Sequence, residues 1–318
     1  MRPVVIAHRG ASGYLPEHTL PAKALAYAMG ADYLEQDVVA TRDDQLVVLH
    51  DIHLDRVTDV ARRFSGRNRS DGRYYVRDFD MDEIRSLKVH ERTNPDGSRV
   101  YPGRFDSAGE PFRVHTFAEE LEFINDLAAA AGRPVGVYPE IKAPEWHRNE
   151  GVDVTPQFLE ILERAGYRSH DDPVYVQCFD PRELVRIRKT LGSPLKLVQL
   201  IGDPRDNDPR LDWNTLLTRP GLDQLAAVVD GIGPWIQSLY TVQGGRVSPA
   251  PVVEQAHAVG LAVHPYTFRL DELPPGFDSF EALVRFCARD LAIDGLFTDF
   301  PDQVLELFRR IFSAGASN

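Results

Sequence analysis

The stretch VVIAHRG, residues 4–10, decides the fold. Two valines and an isoleucine in a short apolar run read as a buried β-strand. The run then stops on His8, Arg9 and Gly10, so the strand delivers a base and a permanent cation to a glycine-broken turn. Strands that end on chemistry are typical of parallel α/β folds, whose sites collect at the C-terminal strand edges. Outward from this stretch the same format recurs. The further runs are YLEQDV from residue 33, VGVYPEIK from 135, VYVQCF from 174, LKLVQLI from 195, DGIGP from 230, LAVHPY from 261 and DGLFTDF from 294, which makes eight strands with helical stretches between them. Eight strand–helix units in one chain predict a TIM (β/α)8 barrel; an open doubly wound sheet reads similarly in places, and the count of eight favours the barrel.

The helices are legible at their ends. Thr19 caps TLPAKALAYAMG, Pro21 falls in its first turn and Gly30 stops it; HTFAEELEFINDLAAAAG, residues 115–132, carries Leu121, Ile124 and Leu127 at three-residue steps and ends on Gly132. Between the run LVVLHD and this second helix, residues 51 to about 114 lose the rhythm to polar, Gly-rich and Arg-rich text. At that length the segment is expected to be an insertion subdomain between the second and third barrel units, overhanging one mouth, within a single domain over residues 1–318. Residues 202–216 are expected to be a shorter surface excursion. The basic run ARRFSGRNR, residues 61–69, reads as a solvated loop.

Composition narrows the function. The 318 residues are 43% hydrophobic and carry a net charge of −12. That is enough apolar content for a full core, and a field that disfavours nucleic acid and anionic membranes, so a small-molecule partner is expected. Cys178 and Cys287, the two cysteines, lie in apolar segments without zinc or disulfide spacing. No run reaches the roughly 18 apolar residues of a membrane span. The start, MRPVVIAHRG, moves into a strand without a charged leader, which predicts a cytoplasmic protein as written, or a periplasmic one if a leader has been removed. The oligomeric state is open, a homodimer included.

The strand ends carry the chemistry. His8 and Arg9 end the first strand, Glu35 and Asp37 the second, His50 and Asp51 the hairpin after it, and Glu140 and Lys142 the third. Glu35 and Asp37 share one side of their strand, as do Glu140 and Lys142 on theirs. Three carboxylates crowded into one mouth call for a cation, and an all-oxygen set selects a hard one, Ca²⁺ or Mg²⁺. Arg9 and Lys142 anticipate an anion beside that ion, and two histidines supply protons near neutral pH; together this is equipment for phosphoryl transfer. Gln177 with Phe179, Trp235, His264 with Tyr266, and Asp299 close later strands and are candidates to line the mouth. Packing is the alternative reading for each. His18 and His53 read as loop or cap residues.

The motifs HRG followed by PEHTL, LEQDVVATRDDQLVVLHD, YPEIKAP and GLFTDFP resemble those of the glycerophosphodiester phosphodiesterase family, and the likeness spans nearly the whole chain. The segments LDRVTDV and DGRYYVRDF resemble the larger bacterial form, whose members are often periplasmic. The resemblance implies a TIM barrel, dependence on one divalent cation, and hydrolysis of glycerophosphodiesters such as glycerophosphocholine and glycerophosphoethanolamine to sn-glycerol 3-phosphate and an alcohol. It assigns His8 and His50 as the acid/base pair, Glu35, Asp37 and Glu140 as metal ligands, and Arg9 and Lys142 as phosphate contacts. Glu17 in PEHTL takes a supporting role near His8 or Arg9. Two other readings compete: a lipid phosphodiesterase of related barrel type, against which the lack of an amphipathic anchor counts, and a phosphodiester-binding protein without turnover, against which both histidines count.

Overall fold

The computed structural model of the chain describes residues 2–105, 112–203 and 211–313. Eight parallel strands form the barrel: β1 (Val4–Ala7), β2 (Tyr33–Ala40), β4 (Gly136–Ile141), β5 (Tyr175–Cys178), β6 (Lys196–Ile201), β7 (Gly231–Pro234), β10 (Ala262–Val263) and β11 (Gly295–Thr298), while β8 (Tyr240–Gln243) and β9 (Arg246–Pro249) pair in a separate hairpin. They are hydrogen-bonded in the order β10-β7-β6-β5-β4-β2-β1-β11. The circle is nearly closed. Between its two ends Asp294 N–H donates to Val263 O, Phe297 N–H to Pro265 O, and Phe268 N–H to Phe297 O. Each of the eight apolar runs read from the sequence coincides with one of these strands, β2 running two residues further, because a strand covered by helices outside and filled with side chains inside is mostly apolar.

Alternation sorts the layers. Val5 and Ala7 point to the helix layer, while Ile6 joins Tyr138, Val198 and Phe297 in a separate cluster within the barrel. Helix α1 (Leu20–Met29) starts on Thr19, whose Oγ1 accepts the Ala22 N–H, and ends on Gly30 at φ 97°. Gly30 tolerates this left-handed C-cap without penalty.

Strand β3 (Leu46–Val48) folds back antiparallel on β2, with Val38 opposite Val48 and Val39 opposite Val47. The hairpin has two apolar faces. Val38 and Val48 face the main core, and Val39 and Val47 face a second core made with Leu54, Val57, Phe79 and Ile84. That second core lies in the segment after β3, which holds the short helices α2 (Val60–Arg63) and α3 (Met81–Arg85). Its basic run is largely exposed, as the sequence suggests, but Arg67 pairs with Glu83, and Arg69 spans Asp78 and Glu150. Helix α4 (Phe117–Ala131) returns the chain to β4, its start fixed by a reciprocal Thr116–Glu119 capping box. Of the excursion at residues 202–216, positions 204–210 lie outside the described residues, and Trp213–Leu216 form a short helix. No helix among the described residues is long and apolar enough to cross a membrane.

Candidate active site

Strand register builds the acidic centre. Asp37 on β2 is the register partner of Glu140 on β4, and Glu140 of Gln177 on β5, so three side chains stand at one level. Glu35 lies two residues before Asp37 on the same side. Carboxylate oxygens of Glu35, Asp37 and Glu140 all lie within 4.8 Å of one another, and all three residues are buried. Gln177 Nε2 donates to Glu35 Oε1 at 3.1 Å.

The turn after β1 is strained in the service of this centre. Arg9 sits at φ 59°, a left-handed conformation that costs a non-glycine residue of order 1 kcal/mol. There its backbone N–H donates to Glu35 Oε2 at 2.7 Å. The next residue must be glycine. A Cβ on Gly10 would lie 2.9 Å from the Ala22 carbonyl, and its φ is 88°.

Both histidines reach the same mouth by different routes. His8 follows β1 directly, and its N–H donates to Thr298 O at 2.9 Å, which sets it beside Asp299. His50 arrives through the antiparallel return of β3; Leu49 N–H donates to Asp37 O at 2.9 Å, bringing the residue that follows it alongside the acidic centre. Each imidazole is held by a carboxylate at Nδ1: His8 by Asp299 Oδ1 at 2.6 Å and His50 by Asp51 Oδ1 at 2.5 Å. Burial and the neighbouring Arg9 bring His8 down to about 4, and burial with Arg9 and Lys142 brings His50 down to about 3, so both are neutral at pH 7.

The cations are tied to the carboxylates. Lys142 Nζ lies 2.8 Å from Glu140 Oε1 and 3.6 Å from Asp37 Oδ1, and Arg9 pairs with Glu17 at 3.0 Å. Burial, with the Asp37 charge beside it, raises Glu35 to about 8. Burial also raises Glu140, outweighing its contact with Lys142. Asp37 is buried too, but Lys142 and the hydrogen bond from His18 hold it ionised. Its Oδ1 has no hydrogen-bond partner among the described residues. A set of buried, mutually repelling oxygens with one left unpartnered fits a hard divalent cation.

A cavity of about 500 Å³ opens over these groups. Gln177, Phe179, Trp235 and Tyr266 line it, together with His8, Arg9, Glu35, Asp37, His50, Glu140 and Lys142, and so do Glu272 and Arg269. His264 does not line it; 2% exposed, it sits within the barrel, where its Nδ1 contacts Tyr138 Oη at 2.8 Å. Asp299 borders a smaller adjoining chamber. Four groups have no site role in the sequence reading, which named Asp51 only as a strand-end residue. His18, taken there for a loop or cap residue, is buried at φ 58° with Nε2 2.6 Å from Asp37 Oδ2. Asp51 orients His50, and Arg92 and Arg104 reach the site from the segment after β3. The adjacent His50-Asp51 pair was a local signal; nothing local marked the arginines.

Comparison with known proteins agrees with this geometry. Residues 8–303 match the Glycerophosphoryl diester phosphodiesterase family. A glycerophosphodiester phosphodiesterase of Haemophilus influenzae is 42% identical over 97% of this chain and 90% of its own length. One from Treponema pallidum is 36% identical over 94% and 90%. A solved structure from Silicibacter pomeroyi shares the fold at a TM-score of 0.74 and 23% identity, covering 98% of this chain and 94% of that one. The chain belongs to the Glycerophosphoryl diester phosphodiesterase family.

Proposed function

We propose that this member of a phosphodiesterase family hydrolyses glycerophosphodiesters, such as glycerophosphocholine and glycerophosphoethanolamine, to sn-glycerol 3-phosphate and an alcohol. The observation that carries the reading is the convergence of Glu35, Asp37 and Glu140 within 4.8 Å beside two histidines held at Nδ1. Relatives at 42% and 36% identity bear the name of that activity.

In this reading Glu35, Asp37 and Glu140 hold one divalent cation, Ca²⁺ or Mg²⁺, which when bound supplies Lewis-acid polarisation of a non-bridging phosphate oxygen. Arg9 and Lys142 grip the phosphodiester anion, Arg9 through its fork and Lys142 as a point charge. Glu17 holds the Arg9 guanidinium in place. The two histidines divide the proton transfers. One neutral imidazole takes a proton at Nε2 from the attacking oxygen, that of water or of the glycerol 2-hydroxyl. The other donates from Nε2 to the departing alkoxide. Burial keeps both imidazoles uncharged in the free enzyme; the incoming negative charge favours the imidazolium that the acid requires. Gln177, Phe179, Trp235 and Tyr266 contact the substrate along the cavity wall, and His264 takes no part. The chain acts as one domain over residues 1–318, with about 51–114 as its inserted subdomain.

The test is detection of sn-glycerol 3-phosphate released from glycerophosphocholine, with and without a chelator. Release that stops on chelation and returns with Ca²⁺ or Mg²⁺ is the expected result. Undiminished release without divalent ions would remove the metal from the reading, and no release with any glycerophosphodiester would remove the substrate class.

A further inference from the structure

Two arginines of the segment after β3 enter the smaller chamber, of about 160 Å³, which His8, His50, Glu17 and Asp299 also border. Arg92 and Arg104 are only 9% and 8% exposed. A guanidinium so far from water needs several acceptors, and each finds a carboxylate already committed to a histidine. Asp51 gives Oδ1 to His50 and Oδ2 to Arg92 at 2.7 Å. Asp299 gives Oδ1 to His8 and Oδ2 to Arg104 at 2.7 Å. The two arrangements repeat one design around the same chamber.

We infer that Arg92 and Arg104 are positioning residues for the acid/base pair, each fixing the carboxylate that holds one imidazole at Nδ1. The inference rests on the reading of His8 and His50 as the proton-transfer residues. A carboxylate held on one oxygen alone can swing about its Cβ–Cγ bond; held on both oxygens by different partners it cannot. The fixed carboxylate keeps the proton on Nδ1 and leaves Nε2 for the reaction. Arg92 further spans Glu17, at 2.9 and 2.6 Å, and Glu17 pairs with Arg9, so an alternating chain of charges runs from Arg9 through Glu17, Arg92 and Asp51 to His50. Arg104 also pairs with Asp271 and donates to Ser12 O, while Ser12 Oγ donates to His8 O. Its guanidinium lies 3.7 Å above the Tyr101 ring. The two arms differ in redundancy. Arg269 Nε also donates to Asp299 Oδ2, at 2.9 Å, so Asp299 keeps a second cation when Arg104 is lost.

The experiment measures kcat and KM, together with long-range imidazole ¹H–¹⁵N spectra that report the tautomer of each histidine, in Arg92→Met, Arg104→Met and the two corresponding lysine variants. Loss of an outer partner lowers activity about 10–100-fold; the expected fall is in kcat, larger for Arg92→Met than for Arg104→Met. The spectra should show the Nε2–H tautomer appearing at His50 and His8 respectively. Lysine is a point charge and cannot span both of its carboxylates, so it recovers part of the kcat but not all. Should the methionine variants fail to fold, the lysine variants carry the test. Wild-type kcat and unchanged tautomers in every variant that folds would overturn the inference. His8→Ala and His50→Ala serve as controls. If these two keep their turnover, the reading of the histidines fails; if they lose it while the arginine variants behave as wild type, only the positioning role fails.

Discussion

Asp37 and Glu140 are register partners on adjacent parallel strands, and side chains at such positions leave the sheet side by side on the same face. Their backbones oblige two buried carboxylates to share one space, and Glu35, two residues before Asp37, joins them. Lys142 meets the resulting charge in part, and the proposed divalent cation would meet the rest.

Replacing Glu140 with Gln should therefore weaken divalent binding by roughly two orders of magnitude, since affinity at all-oxygen sites follows the count of charged ligands. Titration calorimetry of Ca²⁺ and Mg²⁺ into the metal-free protein measures it. Unchanged affinity would move the ligand assignment away from this carboxylate.

His8→Ala and His50→Ala should each lower kcat by about 10²–10⁴-fold while leaving the circular dichroism spectrum and the divalent affinity near those of the parent. Steady-state kinetics beside calorimetry checks both halves. A variant that loses metal and turnover together would instead make its histidine a support of the cation site.

Behind the acidic centre Lys23, fully buried, pairs with Glu120 at 2.8 Å and also reaches Glu35 O and His18. Burial works against the Glu120 carboxylate, yet Lys23 and His115 hold it down at about 2. Lys23→Met strands that charge and should cost roughly 3–5 kcal/mol of unfolding free energy, whereas Lys23→Met with Glu120→Leu should cost less, because breaking a buried pair is worse than replacing it. Urea denaturation of the single and double variants gives the comparison, and equal losses would contradict it.

Acid should destabilise the fold through two buried histidines outside the acidic centre. His147 and His264 are buried, and burial lowers both to about 4, so the native state holds them neutral. His147 Nε2 accepts the Ala40 N–H at 3.1 Å, a bond that protonation would break. An unfolded histidine titrates near 6.5, so between about 6.5 and 4 the unfolded chain binds more protons than the folded one. Stability is thus complete above about pH 6.5 and declines toward pH 4 by as much as about 1.4 kcal/mol per pH unit for each group. Glu35 and Glu140, raised by burial, oppose this slope, so the check is the parent against His147→Gln over this window; identical slopes would refute the buried neutral state of His147.

The sequence by itself determined the barrel and which polar residues its strand ends carry. Eight apolar runs set the strands, because a strand buried on both faces has to be apolar throughout, and polar residues at their ends were thereby committed to one rim. Spacing of two put Glu35 with Asp37 and Glu140 with Lys142, since side chains alternate along a strand. What only the tertiary structure decided is which groups stand behind that rim. His18 turns to Asp37 through a left-handed backbone, Asp299 reaches His8 from the last strand, and Arg92 and Arg104 arrive from a segment with no strand rhythm. His264 shares the strand-end pattern of Tyr266 yet lies within the barrel rather than on the cavity wall. The physical reason is one of range. Periodicity and turn chemistry are local and can be read within a few residues, but an ion pair such as that of Arg104 with Asp299 joins residues 195 positions apart and exists only after the chain has closed on itself.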